Sequence, residues 1–77
     1  MIKPLSTEEN ARAILHIFRD EGVQAGEALT AASLYEAFVD DHEAEDYAAA
    51  LRRASEKGWL LDEGDVVRLT ASGSKEL

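Results

Sequence analysis

The chain has 77 residues, sixteen acids against eight bases, a formal net charge of -8 and no cysteine, which excludes a disulfide framework or thiolate metal site and argues against general affinity for DNA, RNA or an anionic membrane. A domain of this size buries only about 60% of the surface its unfolded form exposes, and thirteen of its apolar residues are Ala, so a single domain over residues 1–77 with a thin core is expected, residues 1–5 being flexible. No apolar run approaches the ~20 residues that cross a bilayer, and Met1-Ile2-Lys3-Pro4-Leu5 turns polar too soon for a signal peptide, so the expectation is a cytoplasmic protein without membrane contact.

Ser6-Thr7-Glu8-Glu9 has the S-x-x-E form of a capping box, in which the Ser6 hydroxyl and the Glu9 carboxylate satisfy amides that a helix start leaves unpaired. Ala11, Ile14, Leu15 and Phe18 follow at i, i+3, i+4, i+7, which predicts a helix over about 7–21 with one apolar stripe, ended at Gly22. Ala28-Leu29 reads as a minimal strand. Thr30 is the next N-cap, and Ala31, Leu34, Tyr35 and Phe38 repeat the spacing over a short helix to about Val39. Asp40 with Glu43 forms a second capping-box pattern, and a third helix is predicted over about Glu43 to Lys57, with Tyr47, Ala50, Leu51 and Ala54 buried and Gly58 as its stop. Trp59-Leu60-Leu61 and Val66-Val67-Arg68-Leu69 are β-prone runs around Asp62-Glu63-Gly64-Asp65, a hairpin in which Leu60, Val67 and Leu69 face inward. Thr70 caps a terminal helix toward Leu77.

In this order the chain resembles the winged helix-turn-helix superfamily over roughly residues 7 to 77. The resemblance rests on Leu29-Thr30-Ala31-Ala32-Ser33-Leu34 at the start of the second helix and on Ala50-Leu51-Arg52-Arg53-Ala54-Ser55-Glu56-Lys57-Gly58-Trp59-Leu60 leading into the hairpin. It also rests on Arg68-Leu69-Thr70-Ala71-Ser72-Gly73 leaving the hairpin. It implies an α+β fold, a small winged helix-turn-helix of three helices with a C-terminal β-hairpin wing and a short terminal helix. In DNA-binding members the third helix enters the major groove, which implies nucleic-acid contacts from Arg52, Arg53, Lys57 and the wing residue Arg68.

The charges of this chain run the other way. Residues 27–46 hold Glu27, Glu36, Asp40, Asp41, Glu43, Glu45 and Asp46 with no Lys or Arg, so the start of the third helix would meet phosphates with carboxylates. The hairpin tip adds Asp62, Glu63 and Asp65. The preferred reading is therefore a non-enzymatic module that binds protein, with Asp40, Asp41, Glu43, Glu45 and Asp46 as the candidate contacts for a basic partner. Ala13 and Ile17, beside the main stripe of the first helix, are expected to form an exposed apolar strip for a partner or for self-association. The alternative is a DNA-binding transcriptional regulator, and a third reading is an acidic mimic of DNA that occupies a nucleic-acid-binding protein.

Bland readings compete with each of these. Arg52 and Glu56 stand at i,i+4 as on any solvated helix, and capping with solvated charge explains most of the acidic run. His16 is expected on the surface near Arg12, and Trp59 as a cover over the core. With only His16 and His42 as imidazoles, no glycine-rich phosphate loop and no G-x-S-x-G, the residues give no catalytic constellation, metal set, cofactor site or small-molecule substrate.

Overall fold

The computed structural model describes residues 6–77, so the expectation for residues 1–5 lies outside the described residues. The fold is a small α+β arrangement of four helices and a three-stranded antiparallel sheet: α1 (Thr7–Asp20), β1 (Ala28–Thr30), α2 (Ala31–Val39), α3 (Tyr47–Glu56), β2 (Leu60–Asp62), β3 (Val66–Leu69) and α4 (Ala71–Lys75). A 3-10 turn, Ala44–Asp46, precedes α3. No described helix is long and apolar enough to cross a membrane.

Local chemistry fixes the starts of three helices. At α1 the Ser6 hydroxyl accepts from the Glu9 amide and the Glu9 carboxylate accepts from the Ser6 amide, both at 3.1 Å, so the capping box is complete. The Thr30 hydroxyl accepts from the Ser33 amide at 3.2 Å, and the Thr70 hydroxyl accepts from the Gly73 amide at 3.0 Å. Each cap removes one unpaired donor from a helix start.

The start of α3 departs from the sequence reading. The Asp41 and His42 amides both donate to the Phe38 carbonyl, at 3.3 and 3.0 Å, so Asp40 and Asp41 finish the last turn of α2 and do not open a new helix. Asp40 keeps helical backbone angles, and Glu43, although extended, makes no side-chain cap. The Asp40-Glu43 capping box therefore does not form, and the region begins as a tight 3-10 turn that widens into α3 at Tyr47.

β3 is the central strand, in the order β1-β3-β2. Its register sets Leu29 against Val67 on one side and Leu60 against Leu69 on the other, which collects Leu29, Leu60, Val67 and Leu69 on the face turned to the helices. The β2–β3 turn needs positive φ at Gly64, where φ is 91°, and the Asp62 carboxylate accepts from the Gly64 amide at 2.9 Å. The turn does not stand free, because the Ala31 amide donates to the Asp65 carbonyl at 2.9 Å and so ties it to the first turn of α2.

The core gathers Ile14, Leu15 and Phe18 of α1, Leu34 and Phe38 of α2, and Leu60, Val67 and Leu69 of the sheet, all at most 2% exposed. α3 adds only Ala50 and Ala54, and such small side chains let α1 and α3 pack closely, the most extensive contact between elements. Tyr47 and Leu51 are half-buried beside them. Trp59 is 6% exposed and closes the core as expected. α4 lies against it, with the Thr70 amide donating to the Trp59 carbonyl at 3.1 Å and the Thr70 hydroxyl sharing its proton between the Gly58 and Trp59 carbonyls at 2.6 and 2.8 Å.

Candidate functional site

Three of the four basic residues implied as DNA contacts are held by carboxylates of the chain itself. Lys57 lies 3.0 Å from Glu8, and Arg53 lies 3.6 Å from Glu8 and 3.8 Å from Glu56. Glu8, in the first turn of α1, thus gathers two cations of α3. The hydrogen bond from Lys57, then its charge, holds the Glu8 carboxyl below the usual carboxylate range, with smaller help from Arg53 and Arg12. Arg68 donates to both carboxylate oxygens of Glu63, at 2.9 and 3.1 Å, and to the Gly26 carbonyl at 2.7 Å. This forked pair lowers the Glu63 pKa and raises that of Arg68, the hydrogen bond being the larger cause in each.

Arg52 has no ion-pair partner among the described residues. The expected Arg52–Glu56 pair is replaced by Arg53–Glu56, since Arg53 reaches Glu56 across i,i+3 while its other nitrogen faces Glu8. Arg12 and Lys57 also approach the Trp59 ring, 4.9 and 5.2 Å from its centroid, a position in which a cation is attracted to an aromatic face.

The acidic run has the opposite character. Asp40, Asp41, Glu43 and Glu45 are exposed and Asp46 is half-buried, and among the described residues none of the five forms an ion pair. All five lie on the connection from the end of α2 through the 3-10 turn, a concentrated negative strip facing water. Among the described residues no group of three or more His, Asp or Glu is placed to hold a metal ion.

Ala13 and Ile17 do not form an exposed strip. Both are half-buried against the core, because α2 crosses nearby, and with His16, Ala37, Asp41 and His42 they line a cleft of about 230 Å³ between α1 and α2. His16 is exposed, as expected, and His42 stacks on Phe38 with centroids 4.8 Å apart and planes 20° from parallel.

A second concavity, about 380 Å³, lies between α3 and β2 and is lined by Tyr47, Ala48, Leu51, Arg52, Ser55 and Asp62. The Tyr47 and Ser55 hydroxyls are buried without a hydrogen-bond partner. Burial, and secondarily the Asp62 charge, push the Tyr47 pKa up, so its phenol stays protonated and can donate. Tyr35, 40% exposed, meets the Tyr47 ring edge-on at 5.1 Å, and Phe38 meets it from inside at 5.6 Å.

Comparison of the chain with protein-family models, with curated proteins and with solved structures finds no match in any of the three. The functional reading accordingly rests on the chain's own residues. Sequence reasoning missed Glu8 as the holder of Arg53 and Lys57, and the groove beside Tyr47. The first had no local signal, since Glu8 and Lys57 are 49 positions apart; the second had one, because Tyr35 and Tyr47 are the only tyrosines and flank the same acidic connection.

Proposed function

We propose that the chain is a non-enzymatic winged-helix module that binds a basic protein partner through the connection between α2 and α3. The element order, with α2, the 3-10 turn and α3 followed by the β2–β3 hairpin, supports the winged-helix reading; the hairpin would be the wing. One observation carries the choice of partner. Arg53, Lys57 and Arg68 are occupied by Glu8, Glu56 and Glu63, while Asp40, Asp41, Glu43, Glu45 and Asp46 have no cationic partner among the described residues.

A DNA phosphate would have to displace a carboxylate at each of those three cations, and of the four implied contacts only Arg52 is without an ion pair among the described residues. A Lys- or Arg-bearing surface finds four exposed carboxylates and the half-buried Asp46 beside them, which speeds encounter and rejects acidic competitors. Exposed pairs of this kind are worth about 0–1 kcal/mol each, so the strip selects and orients a partner more than it fixes affinity.

The test is an NMR titration of labelled protein at low salt, where phosphate contacts are strongest, first with a short random DNA duplex and then with a lysine-rich peptide. Amide shifts at residues 40–46 with the peptide, absent from the variant carrying Asp40→Asn, Asp41→Asn, Glu43→Gln, Glu45→Gln and Asp46→Asn, are the expected result. Salt-sensitive shifts in α3 and the hairpin on adding DNA, reduced by Arg52→Ala with Arg53→Ala, would replace the proposal with a DNA-binding regulator.

A further inference from the structure

The groove between α3 and β2 plays no part in that reading, and its chemistry differs from that of the acidic strip. Tyr47, Ala48 and Leu51 give it an apolar lining, and Arg52 and Asp62 stand on it as one positive and one negative charge. Neither has an ion-pair partner among the described residues; the Asp62 carboxylate accepts only from the Gly64 amide, at 2.9 Å. The exposed ring of Tyr35 against Tyr47 extends the aromatic surface. Tyrosine and arginine around an apolar centre is the composition that protein interfaces favour over the rest of a surface.

The two charges decide what fits. A basic surface is repelled at Arg52 and an acidic one at Asp62. The matching surface is apolar and carries one charge of each sign in reversed order, and a two-fold axis through the groove generates that surface from the chain itself, since in an isologous contact residue i meets j and j meets i. We propose that a second copy of this chain docks groove to groove, with Arg52 of each copy facing Asp62 of the other and the Tyr47 and Leu51 side chains meeting between them. The net charge of -8 opposes the approach, but exposed charges more than about 8 Å apart are largely screened at physiological ionic strength, so the dimer is weak and reversible.

Sedimentation equilibrium in 0.15 M salt tests this over roughly 10 µM to 1 mM, the span in which a small interface associates. The wild type is expected to rise from 8.4 kDa toward twice that mass. Arg52→Asp and Asp62→Arg, each alone, place like charges together and are expected to remain monomeric throughout the range. An equimolar mixture of the two variants restores both opposite pairs and is expected to regain the dimer. A wild type that stays monomeric at 1 mM overturns the proposal, as does a mixture no heavier than its components or a wild-type dimer that either single variant leaves intact. Should Asp62→Arg disturb the turn that Asp62 braces, isotope-filtered NOE spectra on a mixture of labelled and unlabelled wild type decide instead. Intermolecular contacts at Tyr47 and Leu51 are expected, and their absence from a dimer overturns the groove as the interface.

Discussion

Gly73→Ala is the most informative single change to the fold, because it places one methyl group where the backbone leaves no room. Gly73 is buried inside α4, and a Cβ there would lie 2.2 Å from the Trp59 carbonyl oxygen and 2.9 Å from its carbon, against 3.4–4 Å for ordinary contact. The obstacle is main chain and cannot rotate away, so α4 must move off Trp59 by about 1 Å. That movement strains the Thr70 amide's hydrogen bond to the Trp59 carbonyl at 3.1 Å and the Thr70 hydroxyl's, whose one proton is shared between the Gly58 and Trp59 carbonyls at 2.6 and 2.8 Å. Losing both costs about 1–3 kcal/mol, a range also typical of overpacked sites. Alanine gains up to about 1 kcal/mol over glycine in a helix interior, which does not offset the clash except at its lower end. A net loss of roughly 1–2 kcal/mol is a large share of the roughly 4–12 kcal/mol expected of a domain this size, and it lowers Tm by about 4–16 °C. Thermal and urea unfolding followed by circular dichroism and by Trp59 fluorescence measure it. An unchanged or higher Tm, with Trp59 emission as in the wild type, would refute the close approach of α4 to Trp59.

Other expectations follow from caps, core and charge. Thr30→Ala removes the hydroxyl that accepts from Ser33 and is expected to cost about 1 kcal/mol in urea unfolding. Phe18→Ala empties a fully buried core site on α1 and should cost about 3–5 kcal/mol, enough to leave a population unfolded at 37 °C by circular dichroism. Glu8→Gln is expected to lower stability at neutral pH. Because the folded Glu8 pKa is depressed below its ordinary 4.5, the Lys57 and Arg53 contribution is present above 4.5 and is lost as pH falls through the folded value. The gap between wild type and Glu8→Gln in urea midpoint should therefore be open at pH 7 and closed near pH 2. The same variant releases Lys57 and leaves Arg53 with Glu56 alone, so duplex DNA at low salt is expected to shift its α3 amides more than those of the wild type.

Features set by neighbours along the chain were legible from the residues. The Ser6–Glu9 box, the Thr30 and Thr70 caps and the Gly64 turn are decided within three or four residues, and the stripe Ala11, Ile14, Leu15, Phe18 carries a helical period that points to one buried face. Asp40–Glu43 shows where the same reasoning fails. Two helix-ending and helix-starting patterns overlap at Asp40, and the Phe38 carbonyl, by accepting from both Asp41 and His42, draws the segment into the earlier helix. The candidate surfaces were legible as composition and not as pairing. The acidic run is plain from the letters, whereas the capture of Lys57 by Glu8 depends on α1 lying across α3, and Ala13 with Ile17 is half-buried because α2 crosses there. Gly73 carried a signal that went unread, since glycine inside a short helix marks a close backbone approach.

The place of β3 between the other two strands governs how the chain can be made. β1 and β2 do not pair with each other; each pairs only with β3, the last strand to be synthesised. While a ribosome is still adding residues up to Asp65, both earlier strands exist without a partner, and isolated strands of three residues have no stability in water. The sheet cannot form before Val66–Leu69 is made, and its pairing with Ala28–Thr30 spans nearly forty residues. The domain is thus indivisible in a vectorial sense: a product truncated ahead of residue 66 lacks the template on which both sheet edges depend, and it is expected to be a target for proteolysis.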